Sequence, residues 1–464
     1  MSNKGIQYAG EVNLDVIILK GSSGTPLKLD GLEISVTIHE SIFAHALSGT
    51  VTLASTNNIA MNLPIIGQEY LSLKFTTPSL EEHAIDFTKN QFVVYKILER
   101  DTAGEVEALI LKFTTPEMLK SNRVRVSKSY TNTVDKIAED LLTHEKYLDT
   151  KKNLFIEPTS GIRRMVVPNL HPYNIIRNLA TEATSKQHGS PHYLFFENNR
   201  GIHFRTLQSL YAQKIKAKYH HGDKGNDEEY SGGDESGQII QGMKRITNLN
   251  MGTNNDTLMN IGSGMLGSTI ISHDIYNKSY RKDTFGYFDN FKDHERITEN
   301  PIYNDNPIDV QNNTLGSFKD ARIHLHSVPS DTDTQHYEPE TSSYSYAPNK
   351  IDKSLLSRQS RLSELRDGIH VNVEVHGNTT IAAGDMVDLQ LPIAGVDHND
   401  DVADIYYSGR YIITNMLHTF IPQQHTHTIN MTLSKDSLPQ SLPKRTDAKQ
   451  PQPKTLGMIT KKFY

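Results

Sequence analysis

Apolar and polar residues alternate one for one in several stretches near the start of the chain. In Leu32-Glu-Ile-Ser-Val-Thr-Ile-His39, positions 32, 34, 36 and 38 are apolar and positions 33, 35, 37 and 39 are polar. The same period returns at Val51/Leu53 and at Leu71/Leu73/Phe75. A period of two sends successive side chains to opposite faces of a strand, so each run predicts a sheet with one packed and one wet side. Several such strands joined by short turns bury their apolar side by sandwiching or curling closed. Strands are expected over residues 7–18, 32–40, 68–75, 92–99 and 106–113, and beyond Gly49, which is read as a turn. Residues 100–105 join the last two as a hairpin loop, with Gly104 at the position that favours positive φ. Residues 1–115 therefore form a first β module.

The period lengthens after Pro116. Residues 131–144 put Val134, Ile137, Ala138, Leu141 and Leu142 on one helical stripe, with Thr131 or Thr133 as cap. Residues 172–183 form a second helix, with Pro172 in its first turn and Ile175, Ile176, Leu179 and Ala183 buried. A strand, a turn at Gly201 and a returning strand follow, so residues 116–212 make an α+β middle domain. Residues 213–237 carry both signs of charge with Gly and His, the composition of a polar linker. Strand patterns resume at 246–251 and 270–280, and after a helix at 353–366 they recur at 369–376, 386–391, 406–420 and 426–434. Residues 238–280 and 351–438 are thus a second β module. Residues 281–350, with little periodicity, are a long insertion or partly disordered excursion. Residues 439–464 form a basic flexible tail whose end, Lys461, Lys462, Phe463 and Tyr464, is suited to docking on a partner. The fold class is β-rich and multidomain: mainly β, with an α+β middle.

Composition narrows the chemistry. A net charge of −6 does not describe a surface built to hold nucleic acid. The absence of cysteine excludes disulfides and thiolate chemistry and fits synthesis in the cytosol. No run of eighteen apolar residues predicts a membrane span, and the first residues lack the apolar stretch of a signal peptide. Histidine pairs occur at His188/His192, His220/His221, His324/His326 and His425/His427, but no third ligand is fixed by spacing. The run Gly262-Ser-Gly-Met-Leu-Gly267 lacks the Lys-Ser/Thr of a P-loop. Neither a Gly-x-Ser-x-Gly elbow nor a His-Glu-x-x-His helix is present. No enzyme, cofactor or metal is expected. Lys112, Lys120, Arg123, Arg125 and Lys128 form a candidate basic contact surface, toward an acidic partner or DNA.

The chain resembles the baseplate central hub proteins of contractile-tailed, T4-like phages. The likeness runs through Leu47-Ser-Gly-Thr-Val-Thr-Leu53, Leu63-Pro-Ile-Ile-Gly-Gln-Glu69, Leu71-Ser-Leu-Lys-Phe-Thr-Thr-Pro78 and Pro172-Tyr-Asn-Ile-Ile-Arg-Asn-Leu-Ala180. It continues in the 193–210 hairpin, Ile271-Ser-His-Asp-Ile-Tyr276, Tyr407-Ser-Gly-Arg-Tyr-Ile-Ile-Thr414 and Leu433-Ser-Lys-Asp-Ser-Leu438. The resemblance implies a homotrimer whose two tail-tube-like β-barrel or sandwich modules per chain form a pseudo-sixfold ring. Such a ring adapts a trimeric central spike to a hexameric tail tube and surrounds the channel for DNA and the tape measure protein. It also implies contacts with baseplate wedge proteins, assembly in the host cytoplasm and a place in the virion tail. Glu33, Ser35, Thr37, Asn372 and Glu374 are the expected lumen-facing residues. Two alternatives stand beside it: a cell-wall hydrolase or spike-associated enzyme of the tail, and a secretion-system spike-hub protein. The length of the 281–350 excursion and the Lys/Pro-rich tail depart from the T4 type.

Overall fold

The computed structural model describes residues 6–21, 26–55, 65–103, 106–221, 239, 242–252, 255–274, 278–308, 311–328, 353–391 and 404–443. The first region follows the alternation. Strands β1 (Asn13–Lys20), β2 (Pro26–Lys28), β3 (Glu33–Ser41), β4 (Ser48–Ser55), β5 (Tyr70–Thr76), β6 (Ile85–Asp86), β7 (Phe92–Ala103) and β8 (Val106–Thr114) pair antiparallel. Their order is β2-β1-β5-β7-β8-β4-β3, with β6 beside β5. The sheet curls around Ile17, Leu19, Val36, Ile38, Val51, Leu53, Leu73, Phe75, Leu111 and Phe113, all buried. Each such side chain stabilises the fold by about 1.5–3 kcal/mol, so this apolar face drives the curling.

Two local expectations give way here. The register of β3 shifts between Glu33 and Ser35, so Glu33 is buried at 7% exposure and Ile34 is turned outward at 40%. An extra residue in a strand flips every side chain on one side of it, which simple alternation does not reveal. Gly49 lies within β4, opposite Ile38 and Phe113, rather than in a turn. A Cβ there would sit 2.1 Å from the Thr37 carbonyl oxygen and 2.4 Å from the Phe113 ring. Glycine is required by the ring lying across the strand, not by turn geometry.

The middle region contains α1 (Pro116–Arg123), β9 (Val126–Thr133), α2 (Val134–Thr143), β10 (Leu154–Ile156), β11 (Ile162–Leu170), α3 (Pro172–Glu182), β12 (Tyr193–Asn198), β13 (Gly201–Thr206) and α4 (Leu207–Tyr211). Helix α2 buries the expected stripe of Val134, Ile137, Ala138, Leu141 and Leu142. It begins at Val134 because residues up to Thr133 belong to β9; Thr133 holds the cap position without a side-chain capping bond. Pro172 opens α3 as expected, and the two helices share one core with Tyr193, Phe195 and Phe204 of the β12–β13 hairpin.

The last region contains β14 (Ile215–His221), β15 (Arg245–Asn250), α5 (Thr257–Gly262), β16 (Gly267–Asp274), β17 (Ser279–Gly286), β18 (Ile323–Val328), α6 (Lys353–Asp367), β19 (Ile369–His376), β20 (Met386–Gln390), β21 (Gly409–Ile421) and β22 (Thr426–Lys435). Six strands close into a barrel in the order β21-β20-β14-β15-β19-β22, with β22 returning to β21. Residues 215–221, expected in a polar linker, supply β14, which pairs parallel with both β20 and β15. Its alternation is muffled because only Tyr219 is fully buried. Strand β16, expected beside the later strands, instead forms a separate sheet with β17 and β18. The weakly patterned stretch beyond it packs Tyr287, Phe291, Ile302 and Tyr303 into the barrel core. Irregular backbone carries no period, so its anchoring aromatics leave no readable signature. Asn304 donates a 2.9 Å hydrogen bond to the Pro443 carbonyl, fixing the first residues of the tail. Gly104, Leu63, Pro64 and the docking residues Lys461, Lys462, Phe463 and Tyr464 lie outside the described residues.

Candidate functional site

One polar face crosses both β regions. Strands β3 and β21 pair from Val36/Phe420 to Ser41/Asn415, making the curled sheet and the barrel a single hydrogen-bonded surface. The junction is cemented beneath by Phe420, which stacks on Phe75 with ring centroids 3.8 Å apart. Because side chains alternate, the residues opposite this core point to the other side in register. Thr428 on β22 faces Thr419 on β21, which faces Thr37 on β3, which faces Thr50 on β4. Lys112 on β8 and Lys96 on β7 continue that row. The Thr37 and Thr50 hydroxyls are 2.7 Å apart, a cross-strand hydrogen bond of the kind that fixes register.

A second row joins Asn248, Glu374, Asn430, Leu417 and His39 across β15, β19, β22, β21 and β3. A third joins Asn250, Asn372, Thr432 and Asn415, and the Thr432 hydroxyl donates to Asn372 Oδ1 at 2.9 Å. Between these rows the face dips into an open concavity of about 600 Å³. Burial pushes the His39 imidazole below its usual range, against the opposing pull of Glu40. The surface is thus amide and hydroxyl, with the Glu374 carboxylate toward one end and the Lys112 and Lys96 ammonium groups toward the other. Such a surface lacks the concentrated positive charge that retention of a polyanion needs.

Buried ion pairs brace the middle and last regions, and one of them spans the seam between the two. Lys152 Nζ lies 2.6 Å from both Glu117 and Glu197, each nearly inaccessible. Burial opposes its charge, but Glu197 and Glu117 together keep the Lys152 ammonium above its ordinary value. Glu197 also accepts from the Leu47 amide and the Thr115 hydroxyl, tying β12 to the start of β4 and α1. Arg200 grips Asp385 with two bonds of 2.7 and 2.6 Å. On the barrel's other flank Arg296 binds Glu364 at 2.5 Å and Arg361 binds Asp436 at 3.1 Å. Of these pairs Arg200–Asp385 joins the middle region to the last; breaking any one of them strands a buried charge.

Ser35, Thr37, Asn372 and Glu374 share the polar face, while Glu33 is on the buried side of the β3 bulge. The basic residues are dispersed. Lys112 is on the polar face; Lys120 donates to the Leu148 carbonyl, Arg125 to that of Asn169, and Lys128 pairs with Asp140 at 2.9 Å. Arg123 is in the last turn of α1. The threonines and asparagines of β21, β22 and β15 were missed, although Thr428, Asn430 and Thr432 alternate with the apolar Ile429, Met431 and Leu433 as clearly as β3 does. His427 packs against His418 inside the sheet, Nε2 to Nδ1 3.0 Å, rather than beside His425. Among the described residues, no group of three His, Cys, Asp or Glu side chains is arranged to hold a metal ion, and no helix is long and apolar enough to cross a membrane.

No protein-family model matches the chain. It is 22% identical over 343 residues to the probable baseplate hub protein gp334 of Vibrio phage KVP40, covering 72% of this chain and 73% of that protein. Its structure superposes on the 43 kDa tail protein of prophage MuSo2 from Shewanella oneidensis with a TM-score of 0.52, over 91% of this chain and 98% of the other, at 9% identity. The two share a fold. A tail protein from Neisseria meningitidis MC58 aligns over 92% of this chain and 99% of its own, at 9% identity and a TM-score of 0.48.

Proposed function

We propose that this chain is a structural subunit of a phage tail baseplate hub, and that the polar face lines its channel. The observation that carries the reading is the continuity of that face across the β3–β21 junction. Two β regions present one hydroxyl- and amide-rich wall, which suits a passage for DNA and a tape measure protein. The distant likeness to a probable baseplate hub protein and the fold shared with a prophage tail protein support the same placement. In this reading the chain is a homotrimer. Its two β regions act as six similar units in a ring, matching a threefold central spike to a hexameric tail tube. Baseplate wedge proteins surround it, and the assembly, built in the host cytoplasm, resides in the virion tail. Ser35, Thr37, Asn372 and Glu374 face the channel, and the segment ending in Lys461, Lys462, Phe463 and Tyr464 docks on a neighbouring subunit.

Light scattering on the purified chain, alone and with its spike protein, tests this. A mass of about three times 52.3 kDa, alone or on spike addition, is expected. A chain that remains a monomer at every concentration and ignores the spike overturns it.

A further inference from the structure

On the flank where Arg296 pairs with Glu364, the loop between β17 and β18 shapes a second open concavity, of about 600 Å³. Its lining includes Phe288, Asp289, Phe291, Lys292, His294 and Glu299. The floor is aromatic and fixed. Phe288 and Phe291 each meet the buried Tyr287 edge to face, with centroids 5.1 and 5.6 Å away, and the Arg296 guanidinium lies 3.7 Å over the Phe291 ring. The rim is acidic. Residues 287–305 expose Asp289, Asp293, Glu295, Glu299 and Asp305 against one exposed base, Lys292. Lys319, from the loop beside Phe288, pairs with Asp289, and its neighbour Phe318 stands 53% exposed.

The chain runs past this concavity as the last region ends. Asn300, also in the lining, exchanges backbone hydrogen bonds of 3.1 and 2.7 Å with Leu438, and its side chain donates to the Pro439 carbonyl at 3.1 Å. Leu442 is half-buried against the barrel core, and Asn304 holds Pro443. In the sequence beyond, residues 444–455 are a polar spacer, and residues 456–464 bring Leu456, Met458, Ile459, Phe463 and Tyr464 together with Lys461 and Lys462. Over 444–464 six basic side chains stand against one acid, Asp447. Apolar and aromatic groups flanked by ammonium groups complement an aromatic floor inside an acidic rim. The spacer, if extended, spans about 40 Å, enough to reach an adjoining copy. We infer that the concavity seats residues 456–464 of a neighbouring copy. The choice of segment rests on charge, apolar content and reach; the neighbouring copy rests on the hub reading, which makes the chain one of three.

The chain has no cysteine, so disulfide trapping is free of background. Full-length Lys292→Cys and full-length Thr460→Cys chains would be mixed, assembled with the spike protein and mildly oxidised. The expected product is a covalent dimer holding one chain of each kind. It should form at least about tenfold faster than in a control mixture of Thr460→Cys with Lys151→Cys, at an exposed lysine of the middle region. Adding Glu299→Lys to the Lys292→Cys chain, or raising salt to about 0.5 M, is expected to slow the reaction several-fold, because rim charges act chiefly on association. A mixture that links no faster than the control, or a rate indifferent to both Glu299→Lys and salt, overturns the seat, and a trimeric mass then leaves the hub reading standing. A chain carrying both cysteines that links only within itself puts the segment on its own copy and overturns the neighbouring-copy assignment. A parent chain that is monomeric with and without spike overturns both readings.

Discussion

The two β regions reach similar ends by different routes. The first lies within residues 13–114, pairs antiparallel throughout and is built largely from strands joined by short connections. The second draws its six barrel strands from residues 215–435 and closes through parallel pairings of β14 with β20 and β15. Parallel neighbours need long crossovers, and the chain between β14 and β20 contains the separate β16–β18 sheet, helix α6 and the aromatic loop that plugs the core. Closure removes edges, while the order of the first region ends at the short strand β2, which among the described residues pairs only with β1.

Two glycines separate shape from closure. Gly49→Val in the first region and Gly377→Val beside the barrel both press a side chain into occupied space: a Cβ on Gly377 would lie 2.0 Å from His427 Cγ. Each is expected to cost more than about 4 kcal/mol, enough to abolish cooperative unfolding in thermal or urea melts. If only one variant unfolds the whole chain, the regions are independent units; if both do, the β3–β21 junction makes them one. Next in size is the clamp. Lys152→Met leaves Glu117 and Glu197 buried without their cation and is expected to lose about 3–5 kcal/mol in urea titration, while Lys151→Met, at the exposed neighbour, changes little.

Acid sharpens the comparison further. Burial and the neighbouring His418 hold the His427 imidazole well below its ordinary range, burial and Arg361 do the same for His192, and burial pushes His203 down to about 3. These groups stay neutral in the folded chain but protonate in the unfolded one below about pH 6.5, so stability falls as pH drops through that value. The expected slope is up to about 1.4 kcal/mol per pH unit for each histidine. His427→Phe, tested by melts between pH 7 and 5, should flatten its share.

Lys435 gives a smaller effect of the same sign at higher pH. Burial pushes it down to about 7, with Asp404 opposing, and its ammonium donates to the Tyr406 carbonyl. The unfolded lysine keeps its proton to about pH 10.4, so the folding penalty is complete below pH 7 and fades as pH rises toward 10. Lys435→Met should remove that rise and gain about 1 kcal/mol at pH 7 in melts across this range. The smallest expected effect is on the polar face: Glu374→Gln should shift stability by less than about 0.5 kcal/mol, because nothing in the core depends on it.

Much of this architecture was legible. Alternation located β3, β5, β8, β19 and β22 within a few residues, since one wet and one dry face impose a period of two. The α2 stripe was equally direct. Legibility failed where one face was not cleanly wet: β14 read as linker, and the aromatic plug read as excursion. The polar face was half visible, because Thr37 and Asn372 follow from their own strands, but their being neighbours does not.

What the sequence determined by itself is local: which residues face water and which face a core, set by solvation and backbone geometry residue by residue. Tertiary structure decided the rest. It moved Glu33 inside through one bulge, made Gly49 a packing requirement, and joined distant strands at β3 and β21. Those outcomes depend on register between segments hundreds of residues apart, and register is fixed by the shape of the packed core rather than by the period of any one strand.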